Sequence, residues 1–181
     1  ALRQLWRDSR ATLTAVIEDA TRPFCERFNA QQLLSVMQMT FIGGVRCVRD
    51  PVESALDFSL ADQLGAIDDK SPHDERPHRL IALAEIFAEQ LGCQRDHLAR
   101  CITRIRPLDA RLAERIRLML RDADSRMLPL FFLLDKDLRP RSIRPGDLQK
   151  AIGKSWPLPM NLGRHYLATQ CIQRGVGDMA T

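Results

Sequence analysis

Leu2, Leu5, Trp6, Leu13, Val16 and Ile17 recur at roughly helical spacing, which predicts a helix over residues 2–21 that Pro23 ends. Asn29 is suited to cap a second helix, whose apolar face would hold Leu33, Leu34, Val36, Met37 and Phe41. Gly43 and Gly44 stop it, and Asp50-Pro51 reads as the start of a short helix to about Leu56. The pattern then changes to short clusters: Phe58 and Leu60; Leu64, Ala66 and Ile67; Leu80, Ile81 and Leu83. Between the last two lies a polar stretch with Pro72 and Pro77, which no continuous helix accommodates. Two or three short antiparallel strands are expected, with a charged loop between the last pair.

Helical period returns over residues 84–91, 95–105 and 108–123, punctuated by Gly92 and Pro107. Residues 127–134 form a dense apolar run, either a buried extended segment or a brief helix. Residues 135–146 are polar and proline-containing and read as a surface loop, followed by a short helix over about 147–153. A last helix is expected from about Met160 to Arg174, with Gly175 capping it and Trp156 as a packing anchor before it. Residues 178–181 look like the start of a further helix, and the chain begins without Met, so a fragment is expected. The fold class is mainly α with a small antiparallel sheet, divided into an N-terminal helical segment, 1–29, and a domain, 30–181.

Composition narrows the function. No apolar run approaches the ~20 residues of a membrane span, and no signal-peptide core opens the chain, so a cytoplasmic protein without a membrane partner is expected. The five cysteines contain no CxxC pair and read as reduced, mostly buried thiols, with no metal site. Net charge is +4, and only four of the 27 basic residues are Lys. Arg suits bidentate phosphate contact, although a modest positive charge alone is weak evidence for nucleic acid. His73, His78 and His97 are expected on solvated surface.

The segment Asn161-Leu-Gly-Arg164-His165-Tyr-Leu-Ala168-Thr169, ending at Gly175-Val176, carries the most specific pattern. It resembles the His-x-x-Arg-His block of the tyrosine recombinase (phage integrase) family, with Asn161 where the family has His. Gly43-Gly44-Val45-Arg46 is similar to the turn that presents the family's first catalytic Arg, with Arg49 where an acidic residue is usual. Lys70 lies where the family's hairpin loop carries a Lys, and residues 79–83 resemble the strand after it. The resemblance covers roughly residues 30–181 in the family's order.

The resemblance implies a tyrosine recombinase catalytic-domain-like fold and site-specific DNA recombination or integration for a mobile element, without metal or cofactor. Arg46 and Arg164 would stabilise the phosphorane, Lys70 would protonate the leaving 5′ oxygen, and Asn161 could hydrogen-bond but not relay a proton. Arg49 and His165 would stand at the DNA, and Lys136, Arg139, Arg141 and Arg144 would touch its backbone. The partners would be double-stranded DNA and further recombinase protomers in a synaptic assembly. Tyr166, the chain's one tyrosine, is expected to pack within the Arg-His helix; the nucleophilic Tyr would follow residue 181. Two other readings stand beside this one: a non-catalytic DNA-binding or regulatory relative, and a helical protein-interaction domain.

Overall fold

The computed structural model describes residues 2–42, 44–45, 57–59, 61–67, 79–82, 85–121, 128–159 and 162–173. In chain order they form α1 (Leu2–Glu18), α2 (Phe24–Ile42), β1 (Phe58–Ser59), β2 (Leu64–Ile67), β3 (Arg79–Ala82), α3 (Glu85–Ile105), α4 (Ala110–Arg121), β4 (Phe132–Leu134), β5 (Pro140–Ser142), α5 (Pro145–Ile152) and α6 (Leu162–Gln173). The architecture is mainly helical with small antiparallel sheets. None of the described helices is long and apolar enough to cross a membrane.

The helix α2 is the axis of the packing. Every residue from Gln32 to Thr40 is buried, and α1, α3, α5, α6 and β4 all pack against it. A helix covered on all sides needs no single apolar stripe. It does need partners for its polar side chains. Thr40 Oγ1 donates to Val36 O (3.0 Å), Ser35 Oγ to Gln94 Oε1 (3.0 Å), and Gln94 Nε2 to Gln32 Oε1 (2.8 Å), joining α2 to α3.

The start expected at Asn29 is corrected: α2 begins at Phe24, and the Pro23 carbonyl accepts from the Glu26 and Arg27 N–H groups. Residues 29 and 30 therefore lie within one helix. Asn29 makes no cap. Its side chain binds the Leu134 backbone, as donor to the carbonyl and acceptor from the N–H, both at 2.7 Å. The connection from α1 is an Asx turn in which Asp19 accepts from Thr21 N and Oγ1.

Gly92 does not interrupt α3. The buried series Leu91, Leu98 and Ile105, with Gln94 and Cys101 beside it, continues through the glycine on one face. Tertiary packing along that face outweighs the ~1 kcal/mol cost of one helical Gly. After Pro107, Asp109 Oδ1 accepts from Leu112 N (2.9 Å) and so caps α4, whose buried face is Leu112, Ala113, Ile116 and Met119.

The strands β1, β2 and β3 form one antiparallel sheet in chain order, with Gly65 opposite both Phe58 and Ile81. Its inner side holds Phe58, Ile67 and Ile81, while Leu64 and Leu80 on the other side are exposed. A Cβ on Gly65 would meet Phe58 Cδ1 at 2.5 Å, so the ring occupies the space a side chain would take. The strands thus form as the apolar clusters predict; residues 68–78 between β2 and β3 lie outside the described ones.

The run 128–134 is largely buried, bending at Leu128, Leu130 and Phe131 before it extends as β4. The surface loop expected over 135–146 is corrected to a turn, β5 and the start of α5. The correction has a physical reason in Asp135. Its Oδ1 accepts from the N–H groups of Asp137 and Arg139 and closes a tight turn, with Leu138 at φ 62°. Pro140 is tolerated because it faces Leu134, a pair whose backbone groups point away from each other: the neighbouring bond runs from Asp135 N to Arg139 O.

Candidate nucleic-acid interface

Two described elements carry the basic residues singled out above. The first is α6, which holds residue 164 in its backbone and packs on α2. Trp156 fixes the approach to it: the indole is 2% exposed, and its ring lies 4.5 Å from that of Phe41 near the end of α2. At that end Gly44 adopts φ 63°, a conformation open to glycine, and the Val45 N–H reaches back to Met39 O (3.4 Å). Val45 is 1% exposed, so the chain enters residue 46 from a buried point. On α6, His165, Tyr166 and Thr169 are exposed, and Thr169 Oγ1 donates to His165 O (2.8 Å). The packed Tyr166 expected from the sequence is corrected: it is 50% exposed. Arg46, Arg49, Lys70 and Asn161 lie outside the described residues, as does the side chain of Arg164.

The second element is the β4–β5 hairpin. Lys136, Arg139 and Arg144 are exposed around it. Arg141 is committed differently: its two Nη groups each donate to one oxygen of Asp147, both at 2.9 Å. Asp147 also accepts from the Arg144 N–H (2.9 Å) at the start of α5. The Arg141 guanidinium, followed by this N–H, holds the Asp147 carboxyl below the usual carboxylate range, and Asp147 raises Arg141 in return. Arg141 is thus a tie between hairpin and α5, and it keeps its neighbours' backbone in place. Beside the tie is an open cleft of about 600 Å³ between α1, α2, β4, β5 and α5, with Arg22, Glu26 and Lys150 also on its walls.

A third feature went unread in the sequence. A pocket of about 280 Å³ opens between the end of α1, the start of α2 and the C-terminal half of α3. Arg27, Arg100, Arg104 and His97 line it, over Phe24, Phe28 and Cys101. His97, expected on solvated surface, is half-buried, its ring tilted 36° to that of Phe28 at 5.5 Å and its Nε2 3.6 Å from Cys101 Sγ. Burial, with Arg100 adding repulsion, lowers His97 to about 4. Burial also pushes the Cys101 thiol up to about 11, against the pull of Arg104 and Arg100. Both partners are therefore neutral near pH 7, which excludes the thiolate–imidazolium pair a cysteine nucleophile uses. Of the other described thiols, Cys93 is exposed and Cys25 half-buried; Cys47 and the side chain of Cys171 lie outside the described residues. The signal for this pocket was the spacing: His97, Arg100, Cys101 and Arg104 stand at i, i+3, i+4 and i+7 on one face of α3.

Among the described residues no group of His, Cys, Asp and Glu is placed to hold a metal ion. No family model, curated protein or solved structure matches the chain.

Proposed function

We propose that this chain belongs to the catalytic part of a tyrosine recombinase, an enzyme of site-specific DNA strand breakage and rejoining through a phosphotyrosyl intermediate. The observation that carries the reading is the packing of α6 on α2. It brings the helix bearing Arg164 against the helix whose end leads, through Gly44 and buried Val45, directly to Arg46. The antiparallel pair β2–β3 brackets the segment that contains Lys70. The sequence order Arg46, Lys70, Arg164-His165 is the rest of the support.

On this reading a tyrosyl oxygen attacks the scissile phosphorus, the P–O bond to the 5′ carbon's oxygen breaks, and that oxygen leaves with a proton. Arg46 and Arg164 offset the added negative charge on the equatorial oxygens without a metal. Lys70 supplies the proton, and Asn161 donates a hydrogen bond to a phosphate oxygen. Lys136, Arg139 and Arg144 contact the backbone, while Arg141, tied to Asp147, orients them. Tyr166 is not the nucleophile, because it follows the Arg-His pair directly on the same helix.

Asn161 and Arg49, at positions where the family carries His and an acid, favour a second reading: a DNA-binding relative that kept the fold without the chemistry. Incubating the chain with a nicked duplex tests the proposal. A salt-sensitive, non-covalent complex is expected, with no covalent adduct. An adduct through Tyr166 would reassign the nucleophile. Absence of any duplex binding would leave the protein-interaction reading in its place.

A further inference from the structure

The pocket between α1, α2 and α3 is separate from every residue given a role above. Three guanidinium groups from two helices line it, and among the described residues no carboxylate does. Arg22, Arg117 and Arg141 each have a carboxylate within 3.4 Å, whereas Arg27, Arg100 and Arg104 have no such partner among the described residues. Arg100 and Arg104 are one turn apart on α3, an arrangement of like charges that weakens a helix unless an anion joins them. Two of the three arginines are nevertheless held. Arg27 Nε donates to Ile17 O (2.9 Å), which ties α2 to the end of α1, and the Arg104 guanidinium lies 5.1 Å from the centre of the Phe24 ring.

We propose that this pocket is a phosphate-binding site, in which Arg27, Arg100 and Arg104 hold one phosphoryl group above the Phe24–Phe28 wall and beside His97. The chemistry selects phosphate over carboxylate. A carboxylate's two oxygens are satisfied by one planar guanidinium fork, whereas a tetrahedral phosphate presents oxygens in several directions and accepts from three. The size permits it: about 280 Å³ is at the small end for a ligand pocket and admits a phosphoryl group. His97 supplies a reporter. The charged groups that line the pocket with it are Arg27, Arg100 and Arg104, with Cys101 as the neighbouring titratable group, and Arg100 opposes its protonation. An anion seated among them reverses that field and raises His97 towards its ordinary value.

The site needs no part of the recombinase reading. Its source of phosphate is either the DNA backbone or a small phosphorylated molecule, and one experiment separates them. The His97 ring proton is followed by nuclear magnetic resonance in the full chain, assigned with His97→Gln, while inorganic phosphate replaces chloride at constant ionic strength. A saturable shift is expected, with the His97 titration midpoint rising by about one unit or more. Arg100→Gln with Arg104→Gln, both on the exposed face, weakens phosphate about tenfold or more through lost charge-assisted bonds; Arg111→Gln on α4, an equal charge change elsewhere, does not. A short duplex that displaces phosphate identifies the DNA backbone as the source; phosphate binding indifferent to duplex identifies a small ligand. A wild-type chain with no saturable response to phosphate, or an Arg100/Arg104 variant that binds as wild type does, overturns the site.

Discussion

The side chain of Asn29 pairs with the backbone of Leu134 as a neighbouring strand would. It donates to the carbonyl and accepts from the N–H, each at 2.7 Å, 105 residues away in sequence. Leu134 turns these groups away from β5, and it is 2% exposed, so water does not replace them. One side chain of α2 thus closes the edge of the hairpin and fastens it to the central helix. Asn29→Leu, similar in size, leaves both backbone groups orphaned, at ~1–3 kcal/mol each. A loss of ~2 kcal/mol or more is expected in urea unfolding. A loss below ~0.5 kcal/mol would show that the edge is satisfied in another way.

Two glycines should respond to alanine with opposite signs. At Gly65 the new methyl meets the Phe58 ring at 2.5 Å and Ile81 Cγ1 at 3.3 Å, both from flanking strands. Gly65→Ala displaces the ring and costs ~1–3 kcal/mol, the range of overpacking. At Gly92, inside α3, nothing lies within 4 Å of an added Cβ. Gly92→Ala should stabilise by up to ~1 kcal/mol, because alanine leaves the unfolded chain fewer conformations. The midpoints of thermal unfolding decide both; equal signs would contradict the placement of one or the other.

The architecture was readable where periodicity is local. The amphipathic stripe of α4 and the apolar clusters of β2 and β3 carry their period within one segment. What escaped was decided by partners distant in sequence. Asn29 has the chemistry of an N-cap, and only the arrival of β4 at its side shows that it serves another element. Residues 135–146 read as loop because Lys136, Arg139, Arg141 and Arg144 are polar, yet Asp135 folds the turn and Asp147 neutralises Arg141. His97 reads, with His73 and His78, as a scattered surface histidine. Its burial comes from Phe28 on α2. Of the residues named by the resemblance, the described part contains the hairpin cations, His165 and the backbone of Arg164.

His97 also gives the fold a pH dependence of known sign. Its value is about 4 in the folded chain against an ordinary 6.5, so the unfolded chain binds the extra proton first. The contribution of His97 is complete above about pH 6.5 and is lost as pH falls towards about 4, by up to ~3 kcal/mol for a shift of this size. His97→Gln removes that component. Urea unfolding of both proteins across this window should show stabilities that converge at low pH relative to their difference at pH 7. Parallel curves would mean that His97 titrates as freely as in the unfolded chain.

The central claim is that Arg46 and Arg164 act on one phosphate. Fluorescence anisotropy with a labelled duplex, across a series of salt concentrations, tests it through Arg46→Ala, Arg164→Ala and the double variant. Each phosphate contact contributes ~0.9 to the slope of log affinity against log salt. Each single variant is expected to lower the slope by about one contact, and the double variant to lose less than the sum of the two, because residues sharing one partner are coupled. Losses that add fully, or single variants that bind as the unaltered chain does, would contradict it.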